Sequence, residues 1–158
     1  MKSIVGTFLG GFLAVTSVVI AADAATDPVI GTWKLDVAKS KFSGPAQKSS
    51  TRTYEQSADG SINVTVKSVG ADGKASTLVR TFKADGKEYP IKDSSGPDSI
   101  TEKQISTHTA EYVEKKAGKV TVSARRTVSK DGKTLTVHEK GTDADGTKLD
   151  DTLVFEKQ

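Results

Sequence analysis

Apolar and polar side chains alternate with a period of two along most of the chain. Ile62, Val64 and Val66 follow this rule, and so does the stretch 120–128. Such alternation is typical of a β-strand with one buried face. The pattern predicts about ten strands, at 29–36, 49–56, 61–69, 75–83, 87–91, 99–105, 110–116, 120–129, 133–140 and 148–156. No segment predicts a helix of normal length, and Val37–Phe42 is the one candidate for a helical turn.

Asp-Gly steps separate many of these strands. Between two alternating runs an Asp-Gly step indicates a β-hairpin, because glycine adopts positive φ without steric cost. The steps are Asp59–Gly60, Asp72–Gly73, Asp85–Gly86, Asp131–Gly132 and Asp145–Gly146. Their distribution predicts that each strand pairs antiparallel with the next one along the chain.

The strand register follows from the loop lengths, since a slip of one residue would move every side chain to the other face. A two-residue loop at Asp131–Gly132 keeps both faces chemically consistent. A three-residue loop that ends in a glycine bulge does so at Gly60 and Gly73. The predicted pairs are Val128 with Leu135, Arg126 with Val137, Thr127 with Thr136, Arg125 with His138, Val66 with Leu78, Val64 with Arg80, Ile62 with Phe82 and Tyr54 with Val64.

A meander of this many strands has two exposed edges unless it closes into a barrel. We therefore predict an all-β fold, in which a single antiparallel up-and-down meander of about eight to ten strands forms a closed barrel. Medium-sized side chains on its inner face leave room for an internal cavity. The predicted inward residues are Ile62, Val64, Val66, Leu78, Phe82, Val120, Val122, Ala124, Val128, Leu135, Val137, Leu153 and Phe155.

The N-terminal segment has the pattern of a secretory signal. Lys2 is followed by an uncharged run over residues 3–22, and Ala22-Asp23-Ala24 presents small residues at the positions that a signal peptidase reads. We predict a signal peptide at 1–24, a barrel domain at 25–158, and a periplasmic or secreted protein without a stable membrane anchor after cleavage. The uncharged run is long enough that an uncleaved membrane anchor stays open as the alternative.

Composition restricts the chemistry further. Lys and Arg total 23 against 20 Asp and Glu, and this balance gives no support to nucleic-acid binding. The absence of cysteine excludes cysteine nucleophiles, thiolate metal sites and a lipoprotein anchor. The two histidines, His108 and His138, have no nucleophile or carboxylate partner in the pattern. The sequence therefore predicts no enzyme, no metal and no cofactor.

The first predicted strand resembles a known signature. Gly31-Thr32-Trp33-Lys34-Leu35 is similar to the Gly-x-Trp motif that opens lipocalins and related calycin barrels. This resemblance implies a lipocalin-like barrel that holds a small apolar or amphipathic molecule. It also implies that Trp33 closes the barrel floor beside a basic residue of the final strand, although residues 149–156 contain no arginine and no Arg-x-Tyr pair.

A longer set of motifs resembles a group of small secreted bacterial proteins to which no activity is assigned. It consists of Gly31–Asp36, Lys39–Phe42 and Ser129–Thr134. That similarity extends over most of the chain after the predicted signal peptide, and it implies export rather than a particular ligand.

Charged residues in phase with the apolar face are the strongest site candidates. Arg126 and Glu139 are diagonal neighbours in the predicted register, which indicates a structural ion pair near the barrel mouth. Alternatively, Arg80 or Arg126 binds an anionic head group inside the cavity. Aromatic side chains and tyrosine hydroxyls complete the set. The predicted ligand-binding residues are Trp33, Tyr54, Arg80, Phe82, Tyr112, Arg126 and Glu139.

Two functions from different classes follow from these observations. The barrel pattern predicts a secreted or periplasmic binding protein, monomeric, for a small hydrophobic or amphipathic molecule. The lysine-rich outward faces favour the alternative, a noncatalytic cell-envelope or extracellular module that acts through its surface without an internal ligand.

Overall fold

The computed structural model of the protein describes residues 26–92, 94–142 and 146–158. These residues form ten β-strands and no helix. Each predicted strand is confirmed, with ends that differ by at most two residues from the expected ones. The strands are β1 (Gly31–Leu35), β2 (Ser49–Gln56), β3 (Ile62–Val69), β4 (Ala75–Phe82), β5 (Asp85–Pro90), β6 (Ser99–Ser106), β7 (Thr109–Lys116), β8 (Lys119–Val128), β9 (Thr134–Thr142) and β10 (Lys148–Lys157).

All ten strands belong to one antiparallel sheet in the order β4-β3-β2-β1-β10-β9-β8-β7-β6-β5. The predicted all-β up-and-down meander is therefore confirmed. Pairing of β1 with β10 brings the sheet round into a barrel, but β4 and β5 form no ladder with each other. The barrel is thus nearly closed, and we call the interval between β4 and β5 the seam. Pro90 in β5 has no backbone N–H, and such a residue is tolerated at an edge strand.

The predicted hairpin registers are confirmed. Three-residue loops at Gly60 and Gly73, with φ of +81° and +83°, join β2 to β3 and β3 to β4. The pairs Tyr54–Val64, Val64–Arg80, Val66–Leu78, Ile62–Phe82, Arg126–Val137, Arg125–His138, Thr127–Thr136 and Val128–Leu135 all occur. Local turn chemistry and face alternation together therefore specify these strand pairs.

Two Asp-Gly steps differ from the loops that the sequence predicts, and a third lies partly outside the described residues. Asp85–Gly86 lies inside β5, where the register shifts between Asp85 and Glu88, and it forms a bulge rather than a hairpin. At Asp131–Gly132 the predicted register is present, but the loop is longer than the predicted two residues. Within this loop Gly132 donates its backbone N–H to the Ser129 carbonyl. Asp145 lies outside the described residues.

The segment Val37–Phe42 is a turn and not the predicted helical turn. The backbone N–H groups of Lys41 and Thr152 each donate to the other residue's carbonyl, at 2.7 and 2.8 Å. Within the turn at 37–40 the Ser40 backbone N–H donates to the Val37 carbonyl at 3.3 Å. The bridge from Lys41 to β10 then holds the chain in an extended path, so this single turn does not continue as a helix.

A bulge in β8 changes the predicted inner face. Glu114 pairs with Val122 and Lys115 pairs with Val120, so Thr121 is an extra residue. The extra residue reverses the alternation, and Val120 is 55% exposed rather than inward as predicted. Gly141 makes room for the bulge, because a Cβ there would lie 1.9 Å from the Thr121 carbonyl oxygen.

The apolar core occupies the inside of the barrel. Val66, Leu78 and Val122 are half-buried and pack against it. Apart from the exposed Val120, the other predicted inward residues are buried: Ile62, Val64, Phe82, Ala124, Val128, Leu135, Val137, Leu153 and Phe155.

Candidate functional site

Four charged side chains form two ion pairs inside the barrel. Arg52 Nη2 lies 2.8 Å from Glu139 Oε1, and Arg80 Nη2 lies 2.6 Å from Glu114 Oε1. In each pair the two strands, β2 with β9 and β4 with β7, are not sheet neighbours. Both pairs therefore cross the interior. We call Arg52, Arg80, Tyr112, Glu114 and Glu139 the interior cluster.

Strand alternation directs these side chains inward. Arg52 stands between the buried Ser50 and Tyr54, and Arg80 lies one inward position from the buried Phe82. Glu114 follows the buried Tyr112 with the same period of two. Residues i and i+2 of a strand share a face, so each charge inherits the inward direction of its apolar neighbours.

Aromatic rings support the interior cluster. The Tyr112 hydroxyl donates to Glu139 Oε1 at 2.8 Å, so this oxygen accepts hydrogen bonds from both Tyr112 and Arg52. The Arg52 guanidinium lies 4.7 Å from the centre of the Phe155 ring, within the range of a cation–π contact. The cluster thus sits directly on the apolar core.

Two opposing effects set the ionisation of Glu139. Burial raises its pKa. Arg52 and the hydrogen bond from Tyr112 lower the pKa by more than burial raises it, so the pKa of Glu139 lies below its usual value. Burial, together with the Glu139 charge, raises the pKa of Tyr112 well above its usual value. Glu139 is therefore a carboxylate and Tyr112 a neutral phenol at neutral pH.

Glu114 behaves differently from Glu139. Burial raises the pKa of Glu114 more than Arg80 and Arg52 lower it, so its pKa lies above the usual value. Glu114 Oε1 is held in its ion pair with Arg80 Nη2. Arg52 Nε and Arg80 Nε are buried and have no hydrogen-bond acceptor among the described residues. The interior cluster therefore retains two guanidinium donors that no described acceptor satisfies.

A second group of charges surrounds Arg126. Its Nη2 atom lies 2.8 Å from Glu102 Oε1 and 2.9 Å from Asp27 Oδ2. Burial raises the pKa of Glu102 above its usual value although Arg126 lowers it. Burial opposes the charged form of Arg126, but Glu102 and Asp27 raise its pKa above the usual value. We call Arg126, Glu102 and Asp27 the lower cluster.

Trp33 closes one end of the core. Its side chain is fully buried, and its Nε1–H donates to the Val29 carbonyl at 2.6 Å. Lys157 Nζ lies 5.1 Å from the centre of the ring. Lys157 belongs to β10, so a basic residue of the final strand does pack on this tryptophan, one residue beyond the predicted end of that strand.

A cavity of about 660 Å³ opens at the seam. On one side it is lined by the β4 residues Thr77, Leu78, Val79 and Thr81, and on the other by Tyr89, Pro90 and Lys92. Leu78 and Tyr89 also pack against the apolar core, whereas Thr77, Val79 and Thr81 are exposed. Arg80 and Glu114 are not among the residues that line the cavity. The seam cavity is therefore a cleft between the two edge strands that opens to the outer surface and reaches the edge of the core.

The predicted site residues all occupy the inner side of the barrel, but their contacts differ from the expected ones. Arg126 and Glu139 do not form the predicted pair, because Arg126 contacts Glu102 and Asp27 while Glu139 contacts Arg52. Arg126 is only 1% exposed and does not reach solvent as a charge at a barrel mouth would. Trp33, Tyr54, Phe82 and Tyr112 are buried in the core.

Sequence reasoning missed several residues of the two clusters. Arg52 lies between Ser50 and Tyr54, and Glu114 stands two positions after Tyr112, so the alternation could have marked both as inward. Asp27 precedes the first strand and has no periodic signal. Glu102 likewise follows the buried Ile100 by two positions.

Other kinds of site lack support in the part of the chain that the structure describes. His138 faces outward, and its Nδ1 lies 3.0 Å from Thr152 Oγ1. Residues 26–92, 94–142 and 146–158 contain no metal-binding group of three or more His, Asp or Glu side chains. Within the same ranges no helix is both long and apolar enough to cross a membrane.

No protein-family model matches the chain, and no curated protein sequence matches it. Several solved structures, however, are similar to the chain. A Schistosoma mansoni fatty acid binding protein in complex with arachidonic acid is 16% identical, with a TM-score of 0.57 over 83% of this chain and 96% of that one. Zebrafish ileal bile acid-binding protein with cholic acid is 12% identical, with a TM-score of 0.51 over 83% and 99%.

The wild-type fluorescent protein UnaG has the same fold. It is 14% identical, with a TM-score of 0.52 over 82% of this chain and 96% of that one. These similarities define the architecture of the chain as a calycin-type β-barrel of the kind seen in fatty-acid-binding proteins.

Proposed function

We propose that the protein is a noncatalytic binding protein that holds a small hydrophobic or amphipathic molecule inside its barrel. The observation that carries the proposal is the seam cavity, to which Leu78 and Tyr89 at the edge of the apolar core contribute. Its volume of about 660 Å³ falls in the range of small-molecule sites. Similar barrels were solved with arachidonic acid and cholic acid bound, which supports the same use of this one.

The arrangement suits a molecule with an apolar body and one polar end. Leu78, Tyr89 and Pro90 offer apolar surface in the seam cavity. The polar end would meet Thr77, Thr81 or Lys92, which line the same cavity. A few polar groups in a mostly apolar site orient a ligand and give it specificity.

Export belongs to the same proposal. Residues 1–24 lie outside the described residues, and their sequence pattern together with the resemblance to small secreted bacterial proteins supports a periplasmic or secreted protein, which we propose to be a monomer. The intact mass of protein recovered from its natural source tests this point, because cleavage after Ala24 leaves a chain that begins at residue 25. A mass that retains residues 1–24 would favour the membrane-anchored alternative.

Native mass spectrometry of the protein purified from its natural source tests the binding function. We expect a reproducible small-molecule adduct that solvent extraction removes. The uncharged dye Nile red then serves as a probe. Leu78→Trp fills the seam cavity and should weaken Nile red binding roughly tenfold or more. Val120→Trp adds the same side chain at an exposed position and should leave binding unchanged.

One observation favours the surface-acting module as a second candidate. Arg52, Arg80 and Arg126 are each paired with a carboxylate, so the interior satisfies most of its charge without a ligand. A clean protein mass, together with Nile red binding that Leu78→Trp does not weaken, would favour this candidate over the binding protein.

A further inference from the structure

On the basis of the proposed function, we infer that the bound molecule is an anionic amphiphile whose head group faces outward. The head group lies beside Lys92 on the outer surface of the seam. The apolar body lies in the seam cavity against Leu78 and Tyr89, at the edge of the core. The sequence alone suggested the reverse orientation, in which Arg80 or Arg126 holds the head group inside the barrel.

Lys92 is the charged group of the cavity wall. Of the described residues that line the seam cavity, it alone carries a charge. Lys92 is exposed, and it has no carboxylate partner among the described residues. Asp93 follows it in the chain but lies outside those residues. A cation in a cleft whose described walls hold no carboxylate attracts an anion and gives an amphiphile one preferred orientation.

A second lysine stands at the same end of the seam. Lys67 lies directly opposite Thr77 in the β3–β4 ladder, and Thr77 lines the seam cavity. The Cβ atoms of such a pair are about 5 Å apart, so the long Lys67 side chain can extend over Thr77 to the cavity. Lys67 is exposed and also has no carboxylate partner in the described part of the chain. We call Lys67, Thr77 and Lys92 the basic end of the seam.

The other end of the seam, where β4 leads into β5, has the opposite character. Lys83 and Lys87 are each paired there with a carboxylate, that of Asp59 and that of Asp85, at 3.7 Å. The Tyr89 hydroxyl donates to Asp85 Oδ2 at 3.0 Å, so the polar atom of this ring points away from the basic end. Burial and this hydrogen bond raise the pKa of Tyr89, and the Asp59 charge adds to the rise. The seam therefore favours a negative group at the basic end.

The interior of the barrel has no comparable place for an anion. Arg52 and Arg80 are each held by a buried carboxylate, and Arg126 is held by two. A further negative charge in this poorly solvated space would be repelled by those carboxylates at short range. Burial raises the pKa values of Glu102 and Glu114, which is the same resistance to buried negative charge.

Displacement of Nile red by four compounds with matched apolar chains tests the inference at neutral pH. Laurate has a small anionic head group, and lauroyl-lysophosphatidylglycerol has a bulky one of the same charge. Monolauroylglycerol is uncharged, and dodecyltrimethylammonium is cationic. We expect both anions to bind roughly fivefold or more tightly than the other two compounds. The bulky anion should bind as well as laurate, because a head group in solvent has room.

Each other outcome contradicts a defined part of the inference. Monolauroylglycerol or dodecyltrimethylammonium binding as tightly as laurate would overturn the anionic head group and leave the proposed function standing. Tight binding of laurate without binding of lauroyl-lysophosphatidylglycerol would overturn the outward orientation, again with the proposed function intact. Failure of all four compounds to displace Nile red would overturn both.

A pair of double variants locates the head group along the seam. Lys67→Gln with Lys92→Gln should weaken laurate binding roughly fivefold and leave monolauroylglycerol binding unchanged. Lys83→Gln with Lys87→Gln is the matched control, because it removes the same charge roughly 16 Å away along β4. That distance exceeds the screening length of about 8 Å in physiological salt, so the control should bind laurate like the wild type. No loss in the first double variant, or an equal loss in both, would overturn the inference.

The ionisation of bound laurate reports its orientation directly. In laurate labelled with ¹³C at the carboxyl carbon, a head group in solvent beside Lys92 should titrate at or below its usual pKa, because a nearby cation favours the charged form. A head group buried among the interior carboxylates would titrate well above it. Trp33 is the one tryptophan of the chain, so its emission reports whether the buried floor persists across the titration and in each variant. A raised carboxyl pKa in the folded complex would overturn the outward orientation.

Discussion

Arg126 and Glu102 contact each other across an intervening strand. Arg126 on β8 pairs with Ala110 of β7, and Glu102 on β6 pairs with Tyr112 of the same strand. The small side chain of Ala110 lets the guanidinium pass over β7, and Arg126 Nη2 reaches Glu102 Oε1 at 2.8 Å. A buried arginine thus links two strands that share no backbone hydrogen bonds.

Removal of Arg126 should therefore be costly. Arg126→Met leaves Glu102 and Asp27 without their cation, and breaking a buried pair in this way costs about 3–5 kcal/mol of unfolding free energy. Arg125→Met is the control, because its exposed pair with Glu111 contributes at most about 1 kcal/mol. Urea unfolding of both variants measures the difference. Equal costs would show that the lower cluster does not stabilise the barrel.

A methyl group at Gly141 should disrupt the β8 bulge. Gly141→Ala places a Cβ against the Thr121 carbonyl, so the two strands must separate, and we expect a loss of about 2 kcal/mol or more. Gly44→Ala is the matched control, since a Cβ there meets nothing within 4 Å. Thermal unfolding compares the two. A Gly141→Ala protein as stable as Gly44→Ala would contradict the described bulge.

The buried glutamates predict an unusual pH dependence of stability. The folded-state pKa values of Glu102 and Glu114 lie above 4.5, so the folded protein binds protons more readily than the unfolded chain as the pH falls. Their contribution to the unfolding free energy therefore rises from neutral pH towards 4.5. Glu102→Gln should flatten this rise in urea midpoints measured across that range, whereas Glu111→Gln should not.

Glu139 makes the opposite contribution at lower pH. Its folded-state pKa is depressed, so its stabilising effect is complete above its unfolded value of 4.5 and is lost as the pH falls through the folded value. Glu139→Gln should therefore lose less stability than the wild type during acidification below 4.5. An identical acid limb in the two proteins would contradict the Arg52–Glu139 pair.

Lys157 should affect the spectrum of Trp33 more than it affects stability. Lys157→Met removes the cation over the ring, and a contact of this kind contributes about 0.5–1 kcal/mol at an exposed site. We expect a shifted emission maximum and a small fall in the urea midpoint. Lys148→Met, at the other end of β10, is the control and should leave the emission unchanged.

The hairpins could be predicted from the sequence because their determinants are local. Loop length, a glycine at positive φ and the alternation of faces are all contained in short stretches around Gly60 and Gly73. The same reasoning gave the wrong face for Val120. The bulge at Thr121 adds one residue to β8, and the alternation of apolar and polar residues does not reveal such an addition.

The ion pairs could not be predicted in the same way. Arg126 and Glu139 share a face and stand on neighbouring strands, yet each contacts a residue from elsewhere in the barrel. Partners such as Arg52 and Glu139 approach each other only because the sheet curves round until β2 faces β9. Sequence alternation gives the direction of a side chain, but the cross-section of the barrel determines its partner.

The pairing of β1 with β10 also constrains how the chain can fold. Trp33 pairs with Lys157, and the backbone N–H of Gln158 donates to the Thr32 carbonyl, so one edge of β1 is covered by β10. Contacts between such distant segments slow folding, because the intervening chain must be ordered before they form. During synthesis that edge of β1 stays open until β10 emerges, and a nascent chain that lacks β10 cannot yet have a closed floor.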